Sequence, residues 1–208
     1  MIKAISFGLA VALAPAGAVA HTLDEYLQAS RLSLTRTDVR VDIDLTAGVQ
    51  IAAPIIQAID RDQDGLISPA EAAAYGASVL SGAVVELDGE RVALALARIE
   101  VPPVGAMWDG VGTIRLAAVG AHRARLGPRA VLSFQNEHAP DASVYSVNAL
   151  VPADRALSVV RQERDVRQRS VKVFYDVRPT PVFQTGWVFV AGLTCLACVV
   201  VRRRARHS

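Results

Sequence analysis

Cysteine is almost missing from this chain, and the two that occur, Cys195 and Cys198, both fall in an uncharged apolar run near the C-terminus. A C-x-x-C pair in a water-soluble domain points to redox or metal chemistry. Set among apolar residues in a membrane-like run, these two read as small polarizable packing groups. Residues 21–178 contain no cysteine, so no disulfide braces them, and they must build their own core, which a single domain of that length can do. Blocks of one charge are also missing. The formal net charge is +2, and arginines at 202, 203, 204 and 206 supply part of it. The stretch before them is close to neutral, without the concentrated basic face that nucleic acid requires. The arginine-rich run 161–169 is interrupted by Glu163 and Asp165, the mark of a solvated strand–turn–strand. Residues 21–178 hold no G-x-S-x-G elbow, no phosphate-cradling glycine loop and no cysteine nucleophile. Ser, His and Asp single out no triad, so no enzyme is expected. Neither a repeat nor a low-complexity tract occurs.

The ends carry targeting signals. Lys3 gives a small positive start, residues 5–14 are an apolar core too short to span a bilayer, and Ala18-Val19-Ala20 offers a cleavage site. Residues 1–20 therefore read as a signal peptide, with His21 as the first mature residue. Residues 182–201 carry no charge and match the ~20 residues that a membrane helix needs. Trp187 sits near the outer end and the arginine tail follows at once, which places residues 202–208 in the cytoplasm by the positive-inside bias. A processed C-terminal sorting signal would share this pattern; a stable anchor is the preferred reading. The expected organisation is a periplasmic domain over residues 21–178, a linker and transmembrane helix over 179–201, and a basic tail. The chain would sit once across a bacterial inner membrane, touching lipid through residues 182–201.

Between the ends the pattern is mostly period two. Val39, Val41, Ile43 and Leu45 alternate with Arg40, Asp42 and Asp44, as in a strand with one face in the core. Leu32 and Leu34 precede them across a short connection and form the other arm of a hairpin. Asp88-Gly89 marks a second tight hairpin, with arms at 84–87 and 92–101. Further strands are expected at 112–119, 130–135, 143–151, 157–162 and 171–177, with Gly-Pro and Pro-Pro punctuation between them. The fold expected is mainly β, an antiparallel β-sandwich. Residues 52–80 break the rhythm. Ala52, Ile55, Ile56 and Ile59 recur at helical spacing, and Ala70, Ala73, Ala74, Ala77 and Leu80 give a second helical face. A helix–loop–helix is thus inserted between two hairpins.

The intervening loop runs Asp60-Arg61-Asp62-Gln63-Asp64-Gly65-Leu66-Ile67-Ser68-Pro69-Ala70-Glu71. Four carboxylates in one turn repel each other, so the loop gains stability from a divalent cation, and hard oxygens suit calcium. Ser68-Pro69-Ala70-Glu71 is also a capping box, with Ser68 as N-cap and Glu71 three residues on. Without metal, Glu71 is expected to bond back to Ser68. Position by position the loop resembles the EF-hand family. Asp60, Asp62 and Asp64 stand at the first, third and fifth places, and Gly65 at the sixth, where the backbone turns and a Cβ would collide. Leu66 stands at the seventh, giving a main-chain carbonyl. Ser68 is at the ninth, acting through a water, and Glu71 at the twelfth. The resemblance implies a Ca2+ site made by Asp60, Asp62, Asp64, Leu66, Ser68 and Glu71. No second loop follows to pair with Ile67 at the eighth place, so its partner must be the sandwich, another protein or a second copy.

His21-Thr22-Leu23-Asp24-Glu25-Tyr26-Leu27-Gln28, the calcium loop, residues 112–116 and the stretch from Tyr145 to Pro152 carry a wider likeness. On these, the exported part resembles an extracytoplasmic domain that precedes hydrogenase- and urease-type nickel permease-like membrane proteins. A single anchor replaces their spans here, so the likeness implies an accessory or ligand-sensing domain and not transport. Together these features suggest a calcium-binding, membrane-anchored interaction or sensor module, whose partner is another membrane or periplasmic protein. A rival is copper or nickel handling: cleavage after Ala20 would give His21 a free amine beside its imidazole, and His122 or His138 could add a further nitrogen ligand.

Overall fold

The computed structural model describes residues 24–122 and 126–178. The expected signal peptide, His21, the linker and membrane helix, and the basic tail lie outside the described residues. Among those described, no helix is long and apolar enough to cross a membrane.

The described residues open with the expected hairpin. Strand β1 (Tyr26–Leu34) runs antiparallel to β2 (Asp38–Ala47), with Tyr26 opposite Ala47 and Leu34 opposite Val39. Strict alternation works as anticipated: Val39, Val41, Ile43 and Leu45 are fully buried, each contributing about 1.5–3 kcal/mol by leaving water. A 3₁₀ turn (Val49–Ile51), helix α1 (Ala52–Ile59) and helix α2 (Pro69–Ser81) then carry the chain to β3 (Ala83–Leu87). After β3 come β4 (Glu90–Arg91), β5 (Ala95–Glu100), a short helix α3 (Val104–Trp108) and β6 (Thr113–Ala121). The last four strands are β7 (Arg129–Asn136), β8 (Ser143–Ala149), β9 (Leu157–Arg164) and β10 (Ser170–Val177).

The strands form two five-stranded sheets, ordered β5-β6-β2-β1-β8 and β4-β3-β7-β10-β9. One apolar cluster draws on both, with Tyr26, Ile43 and Leu116 from the first and Val85, Leu132 and Val173 from the second. Every pairing is antiparallel except β1 with β8, which is parallel. The expected all-antiparallel arrangement needs that correction. After β7 the chain crosses between sheets through residues 137–142 and joins β1 at its Tyr26 end, with Ser143 opposite Tyr26. Entering beside the start of β1, it has to run the same way.

The second hairpin also differs from its expected form. Asp88 and Gly89 both adopt positive φ, 52° and 84°, as a tight primed turn requires. Its second arm lasts only through Arg91, and residues 95–100 leave for the other sheet to pair with β6. The exposure of Ala95, Ala97, Arg98 and Glu100 along β5 fits an edge strand. Helix α1 buries Ala52, Ile56 and Ile59 as its spacing implies. Helix α2 does not bury its alanines: Ala70, Ala73, Ala74 and Ala77 are exposed, and Tyr75, Gly76 and Val79 face inward. Alanine is common on both faces of helices because it favours the backbone conformation, so its spacing does not report which side is covered.

Candidate metal centre

The helix–loop–helix is built by its own local chemistry. Asp60 ends α1, its N–H bonding Ile56 O at 2.8 Å. Gln63 and Gly65 then take positive φ, 61° and 81°, and fold the loop back on itself. Nothing lies within 4 Å of where a Gly65 Cβ would stand. The glycine is required by its left-handed backbone and not, as the sequence suggested, by a collision. Ser68 caps α2 in extended geometry, with Pro69 following.

The side chains stitch this turn together. Asp60 Oδ2 accepts from Gly65 N–H at 3.0 Å, Asp62 Oδ1 from Asp64 N–H at 3.3 Å, and Asp64 Oδ1 from Leu66 N–H at 2.7 Å. Glu71 completes the capping box: Oε2 accepts from Ser68 N–H at 2.9 Å and Ser68 Oγ–H at 2.8 Å, while Glu71 N–H donates to Ser68 Oγ at 3.3 Å. Its Oε1 reaches across the loop to Arg61 N–H at 2.7 Å. Glu71 thereby ties the end of the loop to its beginning.

Oxygens of Asp60, Asp62 and Glu71 lie within 4.8 Å of one another. Asp60 is only 6% exposed, and its Oδ1 is buried with no hydrogen-bond partner among the described residues. A buried carboxylate oxygen without a donor is costly, and a cation is what would satisfy it. Electrostatics divide the group. The Ser68 backbone and hydroxyl, then Arg61 N–H, hold the Glu71 carboxyl at about 2. At Asp62 the bond from Asp64 N–H pulls the other way, but desolvation and the charges of Asp64, Glu71 and Asp60 outweigh it and raise the carboxyl above its ordinary value. Such crowding is relieved by either a proton or a metal ion.

Of the six residues expected to hold an ion, the described geometry brings together Asp60, Asp62 and Glu71. Asp64 is engaged with Leu66 N–H and Ser68 with Glu71, while Leu66 is 71% exposed. Ile67, whose partner was open, packs against the core shared by the two sheets. Residues fit for calcium are thus present: three convergent carboxylates, an orphaned buried oxygen and a glycine turn.

A polar cluster beneath α2 left no mark in the sequence pattern. Tyr26 and Tyr75 share a buried hydroxyl contact of 2.6 Å, and Tyr75 Oη lies 3.4 Å from His138 Nε2. Both tyrosines meet the imidazole edge-on, at 6.1 and 5.8 Å between ring centroids. Asn136 Nδ2 donates to Gln28 Oε1 at 2.8 Å, and Gln28 Nε2 donates to His138 O at 2.8 Å. Burial lowers the His138 imidazole below its ordinary value, and desolvation raises both phenols. The one available signal was a tyrosine standing alone among the alanines of α2. His122 lies elsewhere: its Nε2 is 3.2 Å from Thr35 O, beyond the other end of β1. The two imidazoles occupy opposite ends of that strand and cannot serve one ion together.

No family model matches the chain, and no curated protein or solved structure matches it either.

Proposed function

We propose that this chain is a calcium-binding module, held on the outer face of a bacterial inner membrane, that interacts with another membrane or periplasmic protein. The observation that carries the reading is the buried, unpartnered Oδ1 of Asp60 beside the oxygens of Asp62 and Glu71. In the EF-hand reading, Asp60, Asp62, Asp64, the Leu66 carbonyl, Ser68 and Glu71 supply the ligands, and the two sheets form a sandwich that carries the helix–loop–helix as an insertion. Asp64, Ser68 and Glu71 would then exchange hydrogen bonds within the loop for bonds to the ion. That exchange, in a loop with no second EF-hand beside it, favours weak binding, with Kd of order 10⁻⁴ to 10⁻³ M as in other extracellular modules. The protein acts by binding and not by catalysis. Membrane attachment through residues 182–201 rests on their apolar length and the arginines that follow.

The test is calorimetry on the full chain in detergent, titrated with calcium and with magnesium, alongside Asp60→Asn. A calcium heat that disappears in the variant supports the reading. No heat, or one unchanged by Asp60→Asn, removes it.

The copper or nickel reading keeps one observation in its favour. His138 stands beside Tyr26, five positions along the chain from His21, and burial favours its neutral, metal-binding form. A tight copper heat lost in His138→Gln would establish it.

A further inference from the structure

Where α1, α2 and the segment after β7 meet, they leave a cleft of about 400 Å³ directly behind the metal loop. One wall is apolar, made by Ile55 and Ala58 of α1. Around it stand Arg61 from the loop, Ser78 from α2, and His138. The size falls at the lower end of the range for small-molecule sites, which combine an apolar wall with a few convergent polar groups.

The polar groups are distinguished by what they do not touch. Arg61 is flanked by Asp60 and Asp62, yet among the described residues its guanidinium pairs with no carboxylate; the bond to Glu71 is made by its backbone N–H. His138 uses Nε2 toward Tyr75 and its main chain toward Gln28, Asn136 and Tyr145, and Nδ1 has no partner among the described residues. The Ser78 hydroxyl likewise has none among the described residues, the Ser81 hydroxyl bonding the Ser78 carbonyl instead. Among the described residues, no acidic side chain lines the cleft. An anion is what this set can hold: a planar guanidinium for a carboxylate, a hydroxyl and an imidazole nitrogen for its remaining polar atoms, and Ile55 and Ala58 for a short apolar body.

We propose that this cleft binds a small organic carboxylate through Arg61 and His138, and that calcium in the adjoining loop strengthens that binding. The second half rests on the calcium reading; the first does not. The coupling has a plain cause. The loop carries four carboxylates, Asp60, Asp62, Asp64 and Glu71, against one arginine. Their field opposes an incoming anion, and a bound divalent cation cancels half of that charge. Arg61 is also the hinge between the two sites, since its N–H is held by Glu71, one of the ligands proposed for the metal.

The experiment uses the full chain in amphipol and 4-fluorobenzoate as probe, followed by fluorine NMR, first in EGTA and then in calcium. Neutral 4-fluorobenzamide runs beside it, with Arg61→Gln and His138→Gln as variants. Arg61 is exposed and outside the core, so its loss does not threaten folding. The carboxylate should bind the wild type at least about tenfold more tightly than the amide, and Arg61→Gln should remove that preference, as expected for one charge-assisted pair. Calcium should tighten carboxylate binding by about two- to tenfold at partly screened range. Equal binding of acid and amide, an unchanged Arg61→Gln variant, or no carboxylate binding in either buffer overturns the proposal. Arg61-dependent binding that calcium leaves unaltered sinks the coupling alone. If calorimetry also finds no calcium site, the calcium reading fails while the cleft stands.

Discussion

At the scale of single residues, the metal loop is a balance between local bonds and mutual repulsion, and two substitutions separate them. Asp62 Oδ1 accepts from Asp64 N–H, and asparagine keeps that acceptor while removing the charge that Asp64, Glu71 and Asp60 oppose. In EGTA, Asp62→Asn should therefore unfold at a higher temperature than the wild type. In millimolar calcium the order should reverse, because the variant offers the ion a neutral oxygen where the wild type offers an anionic one; two melting curves per protein are enough to see the crossing. Glu71 behaves oppositely. Its carboxyl is lowered from 4.5 to about 2, so the stability it contributes is fully present above pH 4.5 and is lost as pH falls toward 2. Glu71→Gln retains a capping side chain without the charge. In EGTA the wild type should melt above Glu71→Gln at pH 6, the gap should narrow from about pH 4.5, and it should close near pH 2. A gap that is constant with pH would mean that the capping bonds do not depend on ionisation.

At the scale of elements, the close fit of α2 to the neighbouring segment joins the metal loop to the rest of the domain. Gly82 follows α2, and a Cβ there would stand 2.9 Å from the main-chain N of His138 and 3.2 Å from its Cα. Glu137 N–H also bonds Gly82 O at 2.8 Å. Backbone atoms cannot swing aside as a side chain can, so Gly82→Ala should cost about 1–3 kcal/mol in chemical denaturation. It should also shift the His138 ring signals in NMR, and a neutral, spectroscopically silent result would contradict this packing. Nothing in the sequence announced that contact, and the reason is general. Period-two alternation made the hairpin of β1 and β2 readable residue by residue, and the capping box fixed where α2 begins. Those signals are local. The parallel pairing of β8 with β1, the early departure of the chain after Arg91 and the inward face of α2 are set by distant partners. Tyr75 could be recognised as the buried residue only once Tyr26 and His138 were beside it. In the loop, the order of acidic residues was legible, whereas the orphaned Asp60 oxygen depends on how α1 packs.

At the scale of the whole molecule, strand registers fix which end faces where. The end holding Tyr26, Ala47 and Asn136 carries the metal loop, since α1 follows β2 there and α2 returns to β3 with Ala83 opposite Asn136. The bond from Asn136 to Gln28 joins the two sheets at that end. Strand β10 runs the other way, from Ser170 opposite Gln135 to Asp176 opposite Arg129. Its exit, where Arg178 N–H bonds Ala156 O at 2.7 Å, is therefore at the far end. A nine-residue strand such as β1 covers roughly 27 Å, so about that distance separates the two ends. If residues 182–201 cross the bilayer, the acidic loop and its crowd of carboxylates point away from anionic headgroups, toward a soluble partner or a free cation. Arg155, exposed beside the exit, should lie close to the membrane surface. Single cysteines at Gln63 and at Arg155, introduced after replacing Cys195 and Cys198 by serine, test this with a bulky polymer-linked maleimide. On outward-facing chains in proteoliposomes, the label at 63 should react as fast as in detergent and the label at 155 several-fold more slowly. Protection at 63 in place of 155 would turn the molecule over, and with it the idea that the metal loop is presented to the compartment and not to the lipid.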